Sequence, residues 1–237
     1  GALMALLFAF MTQSLMANQV ATGLALTLFG LGLSALLGQG FSGQSVPNLP
    51  GLDIPLLSDI PVIGAMFFQF DILVYGSMVL VAVTTWFFAK TRTGLIIKAI
   101  GDNHDAAHSI GYNVVAFRYM TLMFGGACAG VGGAYLSLAQ TPLWVENMTA
   151  GRGWIALALV VFGTWHPARA MMGAYLFGGI TILQLHSQGM GIAIDPQILS
   201  MLPYLATIAV LVAISRNQGK GKMNAPAQLG VPFYAAS

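Results

Sequence analysis

The stretch AIGDNHDAAHSIGYN, residues 99–113, interrupts a chain that is otherwise strongly apolar. Its fifteen residues hold two Asp, two His and two Asn, and basic residues stand on both sides of it. Apolar runs of nearly membrane-spanning length lie before and after it. Because charged and amide side chains are costly in hydrocarbon, the stretch is expected to lie in water between two membrane-spanning helices.

The composition excludes an ordinary soluble domain. Only 7% of the 237 residues are charged and 57% are hydrophobic, whereas soluble domains carry about 25% charged residues. The net charge of +2 argues against nucleic acid as a partner. The single cysteine, Cys128, excludes an intrachain disulfide. The chain therefore belongs in a bilayer.

Several apolar runs approach or reach the length of about 20 residues that a membrane-spanning helix needs. We expect membrane helices near residues 1–16, 20–38, 71–89, 119–140, 155–164, 168–185 and 197–215. The stretch 39–70 is too rich in Gly and Pro to span the membrane and is predicted to be an exposed loop. The run at 155–164 is half a span and is followed by Pro167, which predicts an interrupted helix. The fold class is an all-α polytopic membrane protein.

Small residues at 126–130, GACAG, lie inside one of these runs. Small side chains spaced four residues apart allow two helix backbones to approach closely. We therefore predict close helix packing at this point.

Lys and Arg are distributed asymmetrically between the predicted loops. One side of the membrane carries all of them except Arg152: Lys90, Arg92, Lys98, Arg118, Arg169, Arg216, Lys220 and Lys222. Since basic loops stay in the cytoplasm, residues 1–216 are expected to form a transmembrane domain with a cytoplasmic loop at 90–118, and residues 217–237 a cytoplasmic tail. The chain begins inside an apolar run, so we expect further helices before Gly1.

The polar stretch itself predicts a very short helix. Asp102 or Asn103 can cap its start by accepting a backbone N–H bond, and Gly111 stands where a left-handed terminating residue belongs. The residues between, His104 to Ile110, make fewer than two turns, and so short a helix is not stable alone in water. We therefore expect a groove on a partner protein to hold it.

The longer run RTGLIIKAIGDNHDAAHSIGYNV, residues 92–114, closely resembles the cytoplasmic loop of ABC-transporter permeases of the branched-chain amino acid, ribose and nucleoside superfamily. The matching positions are Arg92, Gly94, Lys98, Ala99, Gly101, Asn103, Ala106, Ala107, Gly111 and Val114. The similarity continues through GRGWIALALVVFGTWHPARAMMGAYLFGG at 151–179 and the tail APAQLGVPF at 225–233, which is most similar to the nucleoside and simple-sugar branch. One position departs from the family, which usually has Pro where this chain has His104.

In that family the loop is a coupling helix that docks into an ATPase subunit. The resemblance implies a permease subunit of an ATP-driven importer in the cytoplasmic (inner) membrane, passing a neutral polar solute such as a nucleoside or simple sugar by alternating access. The implied partners are a second permease subunit, ATP-binding subunits and an extracytoplasmic solute-binding protein. No cofactor is expected in this chain, because the ATPase would bind ATP and Mg²⁺. The residues expected to form the coupling site are Gly101, Asp102, Asn103, Asp105, Ala106, Ala107 and Gly111.

The same stretch allows two alternatives. His104 and His108 are spaced i, i+4 on one helix face, as in the HExxH zinc-protease motif, with Asp105 in place of Glu. No third ligand follows at a useful spacing, and a solvated helix face explains the pair more simply than an intramembrane metal-dependent enzyme. The second alternative is an ATP-independent secondary carrier, although the spans lack the central charge that such carriers commonly use.

Polar side chains within or at the ends of spans are candidate contacts for the solute. They are Asn18, Gln19, Thr22 and Gln184. Left unpaired in hydrocarbon, each would be destabilising, so hydrogen bonding between helices is the other explanation for them. A weakly polar path suits a neutral hydroxylated solute.

Overall fold

The computed structural model describes residues 1–47, 50–51, 70–149, 151–189 and 225–234, with isolated helical positions between 201 and 212. The chain divides into two compact units. The first comprises Gly1–Leu80, Lys90–Ala150 and Ala227–Ser237, and the second Val81–Ala89 and Gly151–Pro226. The predicted segment 197–215 and the acidic residues Asp53, Asp59 and Asp195 lie largely or wholly outside the described residues.

The described part of the first unit is built of helices, some in the apolar runs and some in the polar stretch between them. They are α1 (Ala2–Ala9, continued by the π-helical turn Phe10–Ser14), α2 (Gln19–Gly38, continued by the 3-10 turn Gln39–Phe41), α3 (Ile72–Lys90, which lies across the division between units), α4 (Arg92–Asp102), α5 (His104–Ser109) and α6 (Val114–Tyr135, continued by the π-helical turn Leu136–Gln140).

Three helical segments in the described part of the chain are long and apolar enough to cross a membrane. They are Gln19–Phe41, Ile72–Lys90 and Val114–Gln140. Their mean hydropathy is 1.4 to 2.0, and at most 6% of the residues in each apolar window are buried within the chain, as expected of helices that face lipid. The all-α polytopic membrane fold is confirmed.

Close packing at the small-residue stretch is confirmed. Helix α1 lies against α6, and a Cβ atom on Gly126 would overlap the side chain of Ala5. A Cβ atom on Gly130 would stand 3.1 Å from the Cα of Gly1. Glycine at these positions therefore allows the two helix backbones to come together.

The second unit contains the predicted interrupted helix. Helix α7 spans Arg152–Phe162, 11 residues, and α8 spans Pro167–Gly189. Between them Thr164 and Trp165 have positive φ (50° and 62°), so the chain reverses before Pro167 begins the next helix. The half-span at 155–164 is therefore a short helix ended by a strained turn.

Helix α4 differs from the sequence prediction. The stretch 90–118 was expected to be a loop with one short helix, but it holds an additional helix that begins with a hydrogen bond from the N–H of Gly94 to the Oγ1 of Thr91, 3.0 Å. One face of α4 is buried at Gly94 and Ile100 and the other is exposed. Gly94, Ile97 and Ile100 recur every three residues along the less exposed face, and this spacing is the sequence signal for an amphipathic helix.

Candidate functional site: the polar loop and its contacts

Asn103 separates α4 from α5. Its backbone is extended (φ −153°), which ends α4 at Asp102, and its Oδ1 accepts the N–H of Ala106 at 2.9 Å. Asp105 lies in the first turn of α5, where a negative charge is favourable to the helix dipole. The predicted cap is confirmed as Asn103 rather than Asp102.

Gly111 ends the short helix in the left-handed conformation, with φ +93°. Its N–H donates to the carbonyl of His108 at 2.9 Å, and the N–H of Tyr112 donates to the carbonyl of Ala107 at 3.2 Å. Asn113 then caps α6, its Oδ1 accepting the N–H of Ala116 at 3.0 Å. The chain therefore leaves one helix and enters the next within a few residues. The prediction that Gly111 ends the short helix in the left-handed conformation is confirmed.

A small core lies beneath α5. It consists of Ile100 from α4, Ala107 from α5 (3% exposed), Val114 from α6 and Phe233 from the C-terminal stretch (4% exposed). The short helix is therefore held by its own chain. The expectation that a partner's groove would hold it missed this contact, because nothing local in the sequence links residue 233 to residue 107.

His104 is buried rather than solvated, with 4% of its surface exposed. The Nη2 atom of Arg118 lies 3.1 Å from the Nδ1 atom of His104. Since a guanidinium group can only donate, Nδ1 must be the acceptor, which leaves the imidazole proton on Nε2, 3.5 Å from the Oδ1 of Asp105. The solvated-face interpretation is wrong for His104, whereas His108 is exposed.

Arg118 joins three parts of the chain, a role that goes beyond its predicted place on the basic side of the membrane. Its Nη1 donates to the Oε1 of Gln13 at 3.3 Å and to the carbonyl of Val231 at 3.0 Å, while Nη2 contacts His104. It lies just over one turn into a membrane-length helix, where a charged residue usually has a specific partner. That position was the signal that could have identified it.

The outward side of α5 forms a surface that combines polar and apolar groups. Asp105, Ala106, Ser109 and Ile110 are exposed, and 73% of the isoleucine surface is accessible. Asp102 and Asn103 are exposed beside it, and Gly101 is half-buried. Ala107 instead faces the core. We refer to Asp105, Ala106, Ser109 and Ile110 as the docking face.

The residues predicted to line a solute path are divided between the two units. Asn18 caps α2: its Oδ1 accepts the N–H groups of Val20 and Ala21, both at 3.0 Å. Gln19 is half-buried and Thr22 is buried in the first turns of the same helix. Gln184 belongs to α8 in the second unit, and its side chain lies outside the described part of the structure.

These polar residues of α2 lie at the same end of the first unit as the polar loop. Ser14, four residues before Asn18, is hydrogen-bonded through Oγ to the Oη of Tyr119 at 2.6 Å. Tyr119 lies in the second turn of α6, directly after Arg118. The start of α2 is thus close to the polar loop in the direction along the helices.

Comparison with known proteins decides the family. Residues 1–211 match the family model described as the permease component of the branched-chain amino acid transport system. The chain belongs to this family of ABC-transporter permeases. The permease protein TsgC13 of Haloferax volcanii, provisionally described as a glucose ABC transporter subunit, is 41% identical over 233 residues, covering 89% of this chain and 71% of its own length.

Two further relatives are named for nucleosides. The nucleoside ABC transporter permease NupC of Lactococcus lactis is 37% identical, and the guanosine ABC transporter permease NupQ of Bacillus subtilis is 32% identical. Each comparison covers 98% of this chain and 74% of the relative. No solved structure matches the chain.

Family membership settles the class of protein. The permease is a transport subunit of the cytoplasmic membrane, crosses it several times, and is not an enzyme. The alternative of an intramembrane metal-dependent enzyme built on His104 and His108 is therefore wrong. The contacts of the two imidazoles agree with a packing role, since the ring of Phe233 lies edge-on to both, at centroid distances of 5.1 and 5.3 Å.

Proposed function

We propose that the permease is the membrane-spanning subunit of an ATP-driven importer and moves a neutral polar solute by alternating access. The observation that carries the proposal is the docking face on α5. This short helix is capped by Asn103, and Ile110 at its end exposes an apolar side chain beside polar residues. An exposed apolar side chain beside polar groups is typical of a protein contact. ATP-binding subunits and an extracytoplasmic solute-binding protein are the partners that the family implies.

A nucleoside or simple sugar is the proposed solute, because the relatives with the highest similarity are named for glucose, nucleosides and guanosine. The spanning parts of α2 and α3 carry no Asp, Glu or Arg, and Lys90 stands only at the end of α3. Such spans suit a neutral solute. A second permease subunit, identical or homologous, would complete the path.

Replacement of Ile110 tests the proposed docking face. In the permease alone Ile110 is exposed, so Ile110→Asp should leave folding and membrane level unchanged. It should lower binding of the ATPase subunit at least about tenfold, since burying an isoleucine contributes about 1.5–3 kcal/mol. The measurement is co-purification of the ATPase with permease from detergent extract, together with uptake of labelled nucleoside and glucose.

Ile110→Leu is the matched control and should bind the ATPase nearly as well as the parent. If Ile110→Asp binds the ATPase and transports like the parent, the docking face is not the coupling site. If uptake by the parent proceeds without any ATPase subunit, the chain is a secondary carrier.

The proposed solute path is tested at Gln19 and Gln184. Replacement of either by Leu keeps side-chain bulk and removes hydrogen bonding, so uptake should fall several-fold while ATPase binding stays normal. Asn18 needs a different change, because Asn18→Leu would also remove the cap of α2, which contributes about 1 kcal/mol. Asn18→Asp keeps the capping oxygen and should separate the two roles. If the Gln19→Leu and Gln184→Leu variants both take up solute at the parental rate, these polar residues have a structural role only.

A further inference from the structure

We propose that residues 227–234, which we call the C-terminal clasp, hold the coupling helix α5 in its docking geometry before any ATPase binds. The inference rests on the proposed function for the role of α5, but the contact itself is internal to this chain. It assigns Phe233 and Arg118 as positioning residues for coupling.

The clasp is attached at three separate points. The N–H of Gln228 donates to the carbonyl of Gly101 at 2.9 Å, in the last turn of α4. The carbonyl of Val231 accepts from Arg118 on α6 at 3.0 Å. Phe233 packs its ring edge-on against His104 and His108 of α5. Each of the three helices that meet at the loop is therefore contacted by the clasp.

The stability of α5 depends on this contact. A six-residue helix gains too few backbone hydrogen bonds to form alone. The buried residues of α5 are His104 and Ala107, and the side chains of both have little apolar surface. Phe233 is the largest of the four core residues, so its removal would leave a cavity beneath α5.

Arg118 extends the connection to the first membrane helix. Through its bonds to Gln13, His104 and Val231 it joins the end of α1, the start of α5 and the clasp. Gln13 is itself buried and donates to the Oγ1 of Thr12 at 3.4 Å. A displacement of α5 would have to break this set of hydrogen bonds, so that α5 is connected to α1 through polar side chains.

The functional consequence is preorganisation. A docking helix that is formed in advance does not lose conformational entropy when the ATPase binds. The apparent affinity for the ATPase is proportional to the fraction of permease molecules in which the helix is already formed. Loss of the clasp should therefore weaken ATPase binding although no clasp residue belongs to the docking face.

The test uses Ala107→Cys in a Cys128→Ala background as a probe of the core, in inside-out vesicles that hold the permease without ATPase. Phe233→Ala should raise the rate of maleimide labelling at position 107 at least about tenfold, because the covering ring is gone. Tyr234→Ala is the matched control: the neighbouring ring is 66% exposed, and its removal should change labelling less than about twofold. Phe233→Leu should fall between the two.

The same variants are then titrated with the ATPase subunit. Phe233→Ala should weaken binding at least about fivefold and Tyr234→Ala should not, in line with the preorganisation argument. Equal labelling of the Phe233→Ala and Tyr234→Ala variants, or rapid labelling in the parent, would overturn the clasp. If the labelling contrast is found but the parent binds no ATPase, the clasp stands and the proposed function fails.

Discussion

Ala107→Asp is expected to abolish transport while leaving the amount of permease in the membrane unchanged. The side chain of Ala107 is 3% exposed and lies among Ile100, Val114 and Phe233, none of which can accept or donate a hydrogen bond through its side chain. Desolvating an unpaired carboxylate there should cost at least about 3 kcal/mol, which favours release of α5 from its core by more than a hundredfold. The loop lies outside the spans, so insertion should proceed normally.

The neighbouring position supplies the control. Ala106 is exposed on the docking face, so Ala106→Asp adds the same group without entering the core. Limited proteolysis of inside-out vesicles should cleave the loop rapidly in the Ala107→Asp variant and slowly in both Ala106→Asp and the parent. ATPase binding should be lost in the first variant through release of the helix, and weakened in the second through the added charge alone. Parental protease resistance of Ala107→Asp would contradict the core described beneath α5.

Gly111→Val is also expected to cause a large loss of transport, because it strains the backbone at position 111. A Cβ atom at this position would meet no other atom within 4 Å, so the substitution causes no collision. The residue nevertheless has φ +93°, a conformation that a β-branched side chain strongly disfavours. Relief of about 1–3 kcal/mol of strain should move the turn and with it the end of α5, so that transport is largely lost.

Gly111→Asn separates backbone strain from side-chain size. Asn is nearly as large as Val but tolerates positive φ much better. It should retain most of the transport activity and the parental protease resistance of the loop, whereas Gly111→Val should lose both. Equal behaviour of the two variants would mean that size, and not conformation, matters at position 111.

The membrane helices and the ends of the short helix were predictable because their causes are local. A run of apolar residues is enough to place a span, and the amide of Asn103 reaches an N–H only three residues away. Gly111 similarly terminates α5 through its own dihedral angle. Even the interruption before Pro167 follows from that residue's missing N–H and fixed φ.

The contacts of the loop were not predictable in the same way. The polar neighbours of His104 predict a solvated face, although its side chain is buried, and the polar residues of 90–118 predict a loop with one short helix, although α4 forms within it. Ala106 and Ala107 are adjacent residues of the same type, yet Ala106 is exposed and Ala107 is buried. Which of two adjacent residues faces inward depends on where the packing partner lies.

The sequence by itself thus determined the fold class, the three apolar helices of membrane-spanning length in the described residues, the two ends of α5, and the resemblance of the polar loop to a coupling loop. The tertiary structure alone decided that Arg118 joins Gln13, His104 and Val231, and that Phe233 completes the core under Ala107. The reason is the separation along the chain: a cap closes over three residues, whereas Arg118 and Val231 are 113 residues apart. Hydrophobic periodicity and side-chain capping act within a few turns, while contacts over such a separation exist only after the helices have packed.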